Sequence, residues 1–282
     1  MRQGLDSITS KDLDLLRHLA EQSGTLRLDD REVPLLTLGA KVELACAIGS
    51  WREHGPVPAS DAESLIRADP QLAAIISSLW NQTVHPVDMY SAPTFEVQPT
   101  PAGGTDTDCS FFCQRFKKSL VDNGRFDPSV ARKLAGALAE MIDNVIQHSG
   151  ASKEEPARGV MAYSVASHAM VYAVGDIGRG ILASLQTNIL WASLTTASTA
   201  LRAAVQEGAS RRQGTQGTGF KTAIKALADL NGMLRFRTHD AALSIDGQSP
   251  TGRLGALSAS PSLPGLQLSI ASDGAGRCKN LT

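Results

Sequence analysis

Residues 139–149 read AEMIDNVIQHS and close a longer stretch, 129–148, that has the spacing of an amphipathic helix. Its apolar side chains recur every three or four residues: Val130, Leu134, Leu138, Met141 and Val145. Glu140, Asn144 and His148 are each four apart, so these polar side chains share another face. A carboxamide oxygen can ligate Mg²⁺, and a carboxylate one turn away can orient or deprotonate a hydroxyl or water. Taken alone, the pattern equally describes an ordinary helix with polar residues facing solvent.

A second motif follows two apolar runs, 160–165 and 169–174, that predict a β-hairpin. It reads Asp176-Ile177-Gly178-Arg179-Gly180. An acidic side chain after a strand, followed by Gly-x-Gly, offers a hydrogen-bond acceptor beside a backbone that a flat ring can approach closely. The alternative is a strand that ends in a glycine turn. The motif is not the dinucleotide-binding fingerprint, which needs a third glycine at the opening of a helix.

A third motif, QGTQGTGFK at residues 213–221, precedes a predicted helix over 222–230. Backbone N–H groups and a helix N-terminus together favour an anion, and Lys221 adds positive charge. The motif lacks the Gly-Lys-Ser/Thr of a Walker loop. A flexible glycine turn without a ligand is the alternative interpretation.

In this order and spacing the three motifs resemble those of the Bergerat ATP-binding fold. That superfamily includes gyrase B, the heat-shock-ninety chaperones, MutL and the ATPase domains of histidine kinases. The resemblance covers about 109–272. The form Glu140-x3-Asn144-x3-His148-Ser149 is most similar to the anti-sigma-factor serine kinases and to stand-alone bacterial ATP-binding proteins. The resemblance implies an α+β fold of the Bergerat type, a two-layer sandwich of helices on a sheet.

The resemblance also implies a function for each motif, with ATP and Mg²⁺ as cofactors. Asn144 would hold Mg²⁺, and Glu140 would be the base or the water-orienting carboxylate. Asp176 would accept a hydrogen bond from the adenine amino group. The residues beside the ring would be Gly178 and Gly180, and those at the phosphates Gly214, Gly217, Thr218, Gly219 and Lys221. The segment 180–213 would be a lid over the triphosphate.

One departure from the superfamily concerns the last strand. That strand usually opens with Gly-Thr, whose threonine assists adenine binding, whereas this chain has Gly265-Leu266. The phosphoacceptor histidine motif of sensor kinases is also absent from the sequence, which argues against an autophosphorylating sensor.

The distribution of charge indicates two parts. The whole chain of 282 residues has a net charge of −1, but residues 1–108 carry −8 and residues 109–282 carry +7. We predict an N-terminal accessory domain over 1–92, a proline- and glycine-rich linker over 93–108 and the ATP-binding domain over 109–282. The smaller domain reads as mixed α/β and weakly resembles a STAS domain; an unassigned helical domain is the alternative.

Three functions follow as expectations. In the first, the chain transfers the γ-phosphoryl group of ATP to a serine or threonine of a protein partner, or hydrolyses ATP slowly. In the second, it binds such a partner in a nucleotide-dependent way without catalysis. In the third, which only the missing threonine at position 266 supports, it is a degenerate fold that no longer binds nucleotide. The partner would be a STAS-domain or sigma-factor-related protein, and a homodimer is common in the superfamily. No direct contact with nucleic acid or membrane is expected. Four cysteines are too few for a disulfide scaffold, so we predict free thiols in a reducing cytoplasm.

Overall fold

The computed structural model describes residues 37–54, 66–67, 69–85, 93–100, 106–150, 158–207, 209, 224, 232–246, 257–259 and 262–272. Seven described strands form one sheet in which every neighbouring pair is antiparallel. They are β1 (Thr94–Pro99), β2 (Gly159–Ala166), β3 (Ala169–Asp176), β4 (Met233–Thr238), β5 (Ala241–Asp246), β6 (Leu257–Ala259) and β7 (Leu266–Ser272). Their spatial order is β1-β2-β3-β7-β4-β5-β6, so the last strand in sequence lies at the centre.

Helices account for most of the other described residues. They are α1 (Leu38–His54), α2 (Pro70–Asn81), α3 (Asp106–Asp122), α4 (Pro128–His148), α5 (Gly180–Leu185) and α6 (Ala197–Arg202), and a π-helical turn (Ala203–Glu207) follows α6. The mixture of helices with an antiparallel sheet confirms the α+β class. Among the described residues, no helix has the length and apolar character needed to cross a bilayer.

Helix α4 begins where its local sequence indicates. Asp127 is the N-cap, and its carboxylate accepts a hydrogen bond of 2.7 Å from the Ser129 N–H group. Pro128 takes the first helical position, where the missing N–H group costs no hydrogen bond. Asp69 and Pro70 begin α2 in the same way. The helix predicted over 129–148 is therefore confirmed.

One face of the sheet, here called the front, packs against α3, α4, α5 and α6. Four aromatic rings lie at its centre, and Phe116 contacts both Tyr163 and Tyr172 at centroid distances of 5.1 and 5.6 Å. Because side chains alternate along a strand, Met161 and Tyr163 of β2 point to this front face. The predicted arrangement of helices on a sheet therefore holds for residues 109–272 as far as the structure describes them.

The opposite face, here called the back, packs against α1 and α2. Val160, Ala162 and Ala173 of the sheet join the apolar side chains of these helices in one buried cluster. An ion pair also links the layers, since the Arg235 Nε atom lies 2.8 Å from Glu43 Oε1 and both side chains are nearly buried. The described molecule thus has three layers, and the compositional boundary near residue 108 does not separate α1 and α2 from the sheet.

Most of the described residues within the predicted linker over 93–108 belong to regular elements. Residues 94–99 are the edge strand β1, which pairs with β2 from Thr94 opposite Val165 to Pro99 opposite Val160. Proline is tolerated at such an edge because one side of the strand needs no ladder hydrogen bond. Residues 106–108 already belong to α3. The proline content therefore marks a sheet edge here.

The segment 180–213, predicted to be a polar lid, has described residues over 180–207 and at 209. They include α5, α6 and the π-helical turn, and Ile181, Leu185 and Leu201 lie in the front core. The described part of this segment therefore contributes apolar side chains to the core. Whether it moves over a ligand stays a prediction.

Other local predictions have mixed outcomes. The hairpin is confirmed as β2 and β3. Apolar runs in the sequence also predict strands at 233–238, 242–245 and 266–270, and these are β4, β5 and β7. Apolar side chains at helical spacing predict helices over 33–54 and 68–80; the first is confirmed from Leu38 onward, and the second is α2. The sequence further predicts a helix over 11–22 and a short strand over 25–28; with the helix over 222–230, they lie outside the described residues, except for position 224. Among the described residues, Cys46, Cys109 and Cys113 form no disulfide bond.

Candidate functional site

Asp176 ends β3 at an edge of the sheet where two other strand ends meet it. Strand β7 begins beside it, because Gly175 is paired with Gln267, and β4 ends next to β7, with Thr238 opposite Leu266. The turn after Asp176 runs from residue 177 to 180 and leads into α5. Three strand ends and a glycine turn thus surround one carboxyl group.

The Asp176 carboxyl group is buried and held by backbone donors. Its Oδ1 atom accepts from the Gly178 N–H group at 2.7 Å, and Oδ2 accepts from the Leu266 N–H group at 3.2 Å. Only 2% of the residue is exposed, and burial raises its pKa to about 7 although both backbone hydrogen bonds act in the opposite direction. Among the described residues, no lysine, arginine or histidine forms an ion pair with it.

The glycine turn docks on the C-terminal end of α4. A Cβ atom at Gly178 would overlap the carbonyl oxygen of Ser149, which also accepts a hydrogen bond of 3.1 Å from the Arg179 N–H group. Gly180 has φ +71°, and a Cβ atom there would lie 2.7 Å from His239 Nε2. Packing therefore requires both glycines, and whether they also make room for an adenine ring stays a prediction.

The departure at Gly265-Leu266 also has a local explanation. Gly265 has φ +76°, and a Cβ atom there would overlap the carbonyl oxygen of Asp176. The Leu266 N–H group, rather than a side-chain hydroxyl, reaches the carboxylate. A hydroxyl group at this edge, that of Thr238, joins two segments: its Oγ1 donates to the Gly265 carbonyl at 2.8 Å and accepts from the Ile181 N–H group at 3.3 Å.

Thr238 and His239 are site residues that sequence reasoning missed. His239 has φ +45°, and its Nε2 atom lies 3.1 Å from the Arg179 carbonyl oxygen. Both therefore hold the glycine turn that follows Asp176. In the sequence, Thr238 is marked only by its position at the end of an apolar run. The residue that pairs with it, Leu266, is distant in sequence.

The two polar residues of α4 lie along the helix from this turn. Ser149 is five residues beyond Asn144 and nine beyond Glu140, which corresponds to about 7 and 13 Å along the axis. Asn144 is half-buried and Glu140 is exposed. Neither side chain has a hydrogen-bond partner within the described part of the chain. Glu140 lines a groove between α3 and α4 of about 780 Å³, and Asn144 does not.

The structure thus brings only part of the predicted site together. Asp176, Gly178 and Gly180 lie in one turn, which contacts Ser149 at the end of α4 through Gly178 and the Arg179 N–H group. The predicted phosphate-binding residues lie outside the described part of the chain: Gly214, Gly217, Thr218, Gly219 and Lys221. No cluster of three or more His, Cys, Asp or Glu side chains suitable for a metal occurs among the described residues.

The described residues nevertheless fit the two groups that the resemblance implies. Each Asp176 carboxylate oxygen uses one acceptor position on a backbone N–H group and retains another. A carboxyl group so placed can accept from an exocyclic amino group. The Asn144 amide oxygen suits Mg²⁺, which typically takes one or two protein ligands and completes its shell with water and substrate phosphates.

Comparisons with known proteins leave the family open: no known protein family matches the chain, and no curated protein is similar to it. The resemblance to the Bergerat superfamily therefore rests on the three motifs and their order in the sequence.

Proposed function

We propose that the chain is an Mg-ATP-binding regulatory protein with an ATPase domain of the histidine-kinase-like, Bergerat type. The observation that supports it most is Asp176. Its carboxyl group is buried at a strand end, accepts from two backbone N–H groups and is paired with no described cation. When ionised, such a group raises the free energy of the folded state. Such a group is typical of a ligand-binding site.

In this proposal each described residue has a defined part. The Gly178 and Leu266 N–H groups orient the Asp176 carboxylate, which accepts a hydrogen bond from the amino group of adenine. Asn144 supplies an oxygen ligand to Mg²⁺ from α4. The glycine-rich stretch 214–219 and Lys221 bind the phosphates. Mg²⁺ when bound neutralises phosphate charge.

The bound nucleotide has two candidate uses. In the first the protein is a kinase of the anti-sigma-factor type, and Glu140 accepts the proton of a serine or threonine hydroxyl of a partner. In the second the nucleotide shifts the population of conformations of 180–213 and so changes the surface offered to a partner, without catalysis. The exposed position of Glu140, in a groove that excludes Asn144, favours the second use. A STAS-domain or sigma-factor-related protein remains the proposed partner.

A thermal-shift assay tests the proposal directly. Mg-ATP is expected to raise the melting temperature, because a ligand at 100 times its Kd stabilises the native state by about 2.7 kcal/mol. Mg-GTP, which has a carbonyl oxygen where adenine has its amino group, is expected to give a smaller shift. Asp176→Asn and Asn144→Ala should each reduce the ATP shift, whereas Asp240→Asn, which changes an exposed carboxylate in the β4–β5 turn, should keep it.

The absence of any Mg-ATP shift in the wild type would contradict the proposal. The two uses are then separated with Glu140→Gln. A kinase loses phosphoryl transfer in this variant, whereas a binding module keeps ATP-dependent capture of its partner. Capture that is equal with and without ATP would contradict the second use.

A further inference from the structure

The groove between α3 and α4 lies on the outer surface of the helical layer. Residues 123–127 join the two helices, and the short connection returns α4 along α3 as a helical hairpin. The floor of the groove includes Ala135, Gly136 and Ala139 of α4, followed by Ile142. The first three of these residues, near the middle of α4, have a methyl side chain or none, so another helix can approach the backbone of α4 closely there.

Charges of opposite sign lie at the two ends of this groove. Lys117 and Arg132 line the end near the helical connection, and Glu140 and Asp143 line the other half. All four residues are exposed. The groove therefore has a basic end and an acidic end, and its net formal charge is zero.

The midpoint between these ends is Gly136. Arg132, Gly136 and Glu140 are each four residues apart and so form one row along α4, with the two charged residues about 12 Å apart along the axis. Gly136 is exposed, and a Cβ atom built there meets nothing within 4 Å. The centre of the charged row is thus open space in front of a backbone without a side chain.

From this arrangement we propose that the groove is a homodimer interface in which α4 packs antiparallel against α4 of a second copy. A two-fold axis at Gly136 places Arg132 opposite the partner subunit's Glu140, and the same operation places Glu140 opposite the partner subunit's Arg132. Isologous packing of this kind requires a self-complementary surface, and a row of basic, small and acidic residues in equal steps is one. Two ion pairs then flank a close contact between the two glycines.

The proposal does not depend on nucleotide binding, so it is tested on the full chain without nucleotide. Sedimentation or light scattering over a concentration series should give a mass twice the 29.8 kDa of the chain. Arg132→Glu and Glu140→Arg should each raise the dissociation constant of the dimer about tenfold or more. Each substitution replaces both ion pairs across the interface with pairs of like charge. Arg202→Glu, a reversal at an exposed residue of α6, should leave the dimer unchanged.

The double variant Arg132→Glu/Glu140→Arg should restore the dimer. Residues eight apart are not neighbours on one helix, so the two substitutions cannot compensate within one chain. Gly136→Gln should give a monomer that still unfolds in one cooperative thermal transition. The new side chain meets open space within one copy, but in a dimer it would clash with the helix of the partner subunit. Gly136 therefore tests the interface without a change of charge.

Three results would overturn the proposal. The first is a wild-type chain that stays monomeric at every concentration, as it would if another segment of the same chain filled the groove. The second is a dimer that survives Arg132→Glu and Gly136→Gln. The third is a double charge variant that remains as weak as the single variants.

Discussion

At the scale of single residues, Asp176 is held in place by the backbone around it. Both carboxylate oxygens bind N–H groups, and its own carbonyl oxygen accepts from Gln267 Nε2 at 2.8 Å. The residue thereby fixes the start of β7 relative to the turn that follows β3. Burial of an ionised carboxyl group opposes folding, so this residue adds order at the site while it lowers stability at neutral pH.

The stability of the protein should therefore depend on the ionisation of Asp176. Its pKa is raised from 3.8 to about 7, so between these values the native state retains a proton that the unfolded state has lost. The contribution to stability is full below pH 3.8 and is lost as pH rises to about 7, at up to about 1.4 kcal/mol per pH unit. The free energy of unfolding, measured with urea at pH 5 and at pH 8, gives the size of this loss.

The control for this pH dependence is Asp176→Asn, which cannot ionise. The variant is expected to lose some stability at all pH values, because an amide cannot replace both acceptors. Its loss on going from pH 5 to pH 8 should be smaller than that of the wild type. Equal losses in the two proteins would show that Asp176 is already ionised at pH 5.

At the scale of elements, one buried carboxylate attaches the edge strand β1 to the rest of the fold. The Glu96 side chain accepts from Arg115 of α3, with Nη2 at 2.6 Å from Oε1, and from the Tyr163 hydroxyl of β2 at 2.6 Å. Burial and the Glu96 charge both raise the pKa of Tyr163, which therefore stays a hydrogen-bond donor. This network explains why a buried charged residue is tolerated in β1, a segment whose composition alone predicts a linker.

Removal of the cation from this network should be costly. Arg115→Gln leaves the Glu96 carboxylate, whose side chain is fully buried, without its charge partner, and the expected loss is about 3 kcal/mol. The comparison is Lys118→Gln on the same helix, which breaks an exposed pair with Asp122 and should cost less than about 1 kcal/mol. Urea unfolding of both variants gives the two values, and similar losses would contradict the assignment.

At the scale of the whole molecule, the sheet is covered on both faces. On the back, Glu43 of α1 lies 2.8 Å from Arg235 and 3.9 Å from Arg237 of β4, and both arginines are buried. The apolar cluster around Val160 and Ala173 lies beneath the same helix. Helix α1 therefore supplies apolar cover and a negative charge to a face that carries two positive charges.

A fragment of residues 93–282 should therefore fold poorly, although it contains the whole predicted ATP-binding domain. Without α1 and α2 the back of the sheet is exposed, and Arg235 and Arg237 lose the Glu43 carboxylate. We expect aggregation or strong binding of a hydrophobic dye, together with loss of a cooperative thermal transition. A soluble fragment with a sharp transition would show that residues 93–282 are an independent domain.

The elements that are visible in the sequence are those whose signals are local. Helix α4 has its proline and its apolar repeat within 21 residues and its cap directly before them, and the β2–β3 hairpin has its turn between its two strands. The first two motifs also lie within a single element or turn each. Their order could be recognised in the sequence, whereas their relative placement depends on which strand ends meet.

Other features depend on contacts between distant residues. Glu96 of β1 contacts Tyr163, 67 residues away, and Glu43 of α1 contacts Arg235, 192 residues away. The burial of Asp176 likewise depends on the Leu266 N–H group, 90 residues further on. Periodicity and turn chemistry specify short elements, but burial and charge pairing across layers are properties of the packed chain, so the third layer and the environment of Asp176 appear only in the tertiary structure.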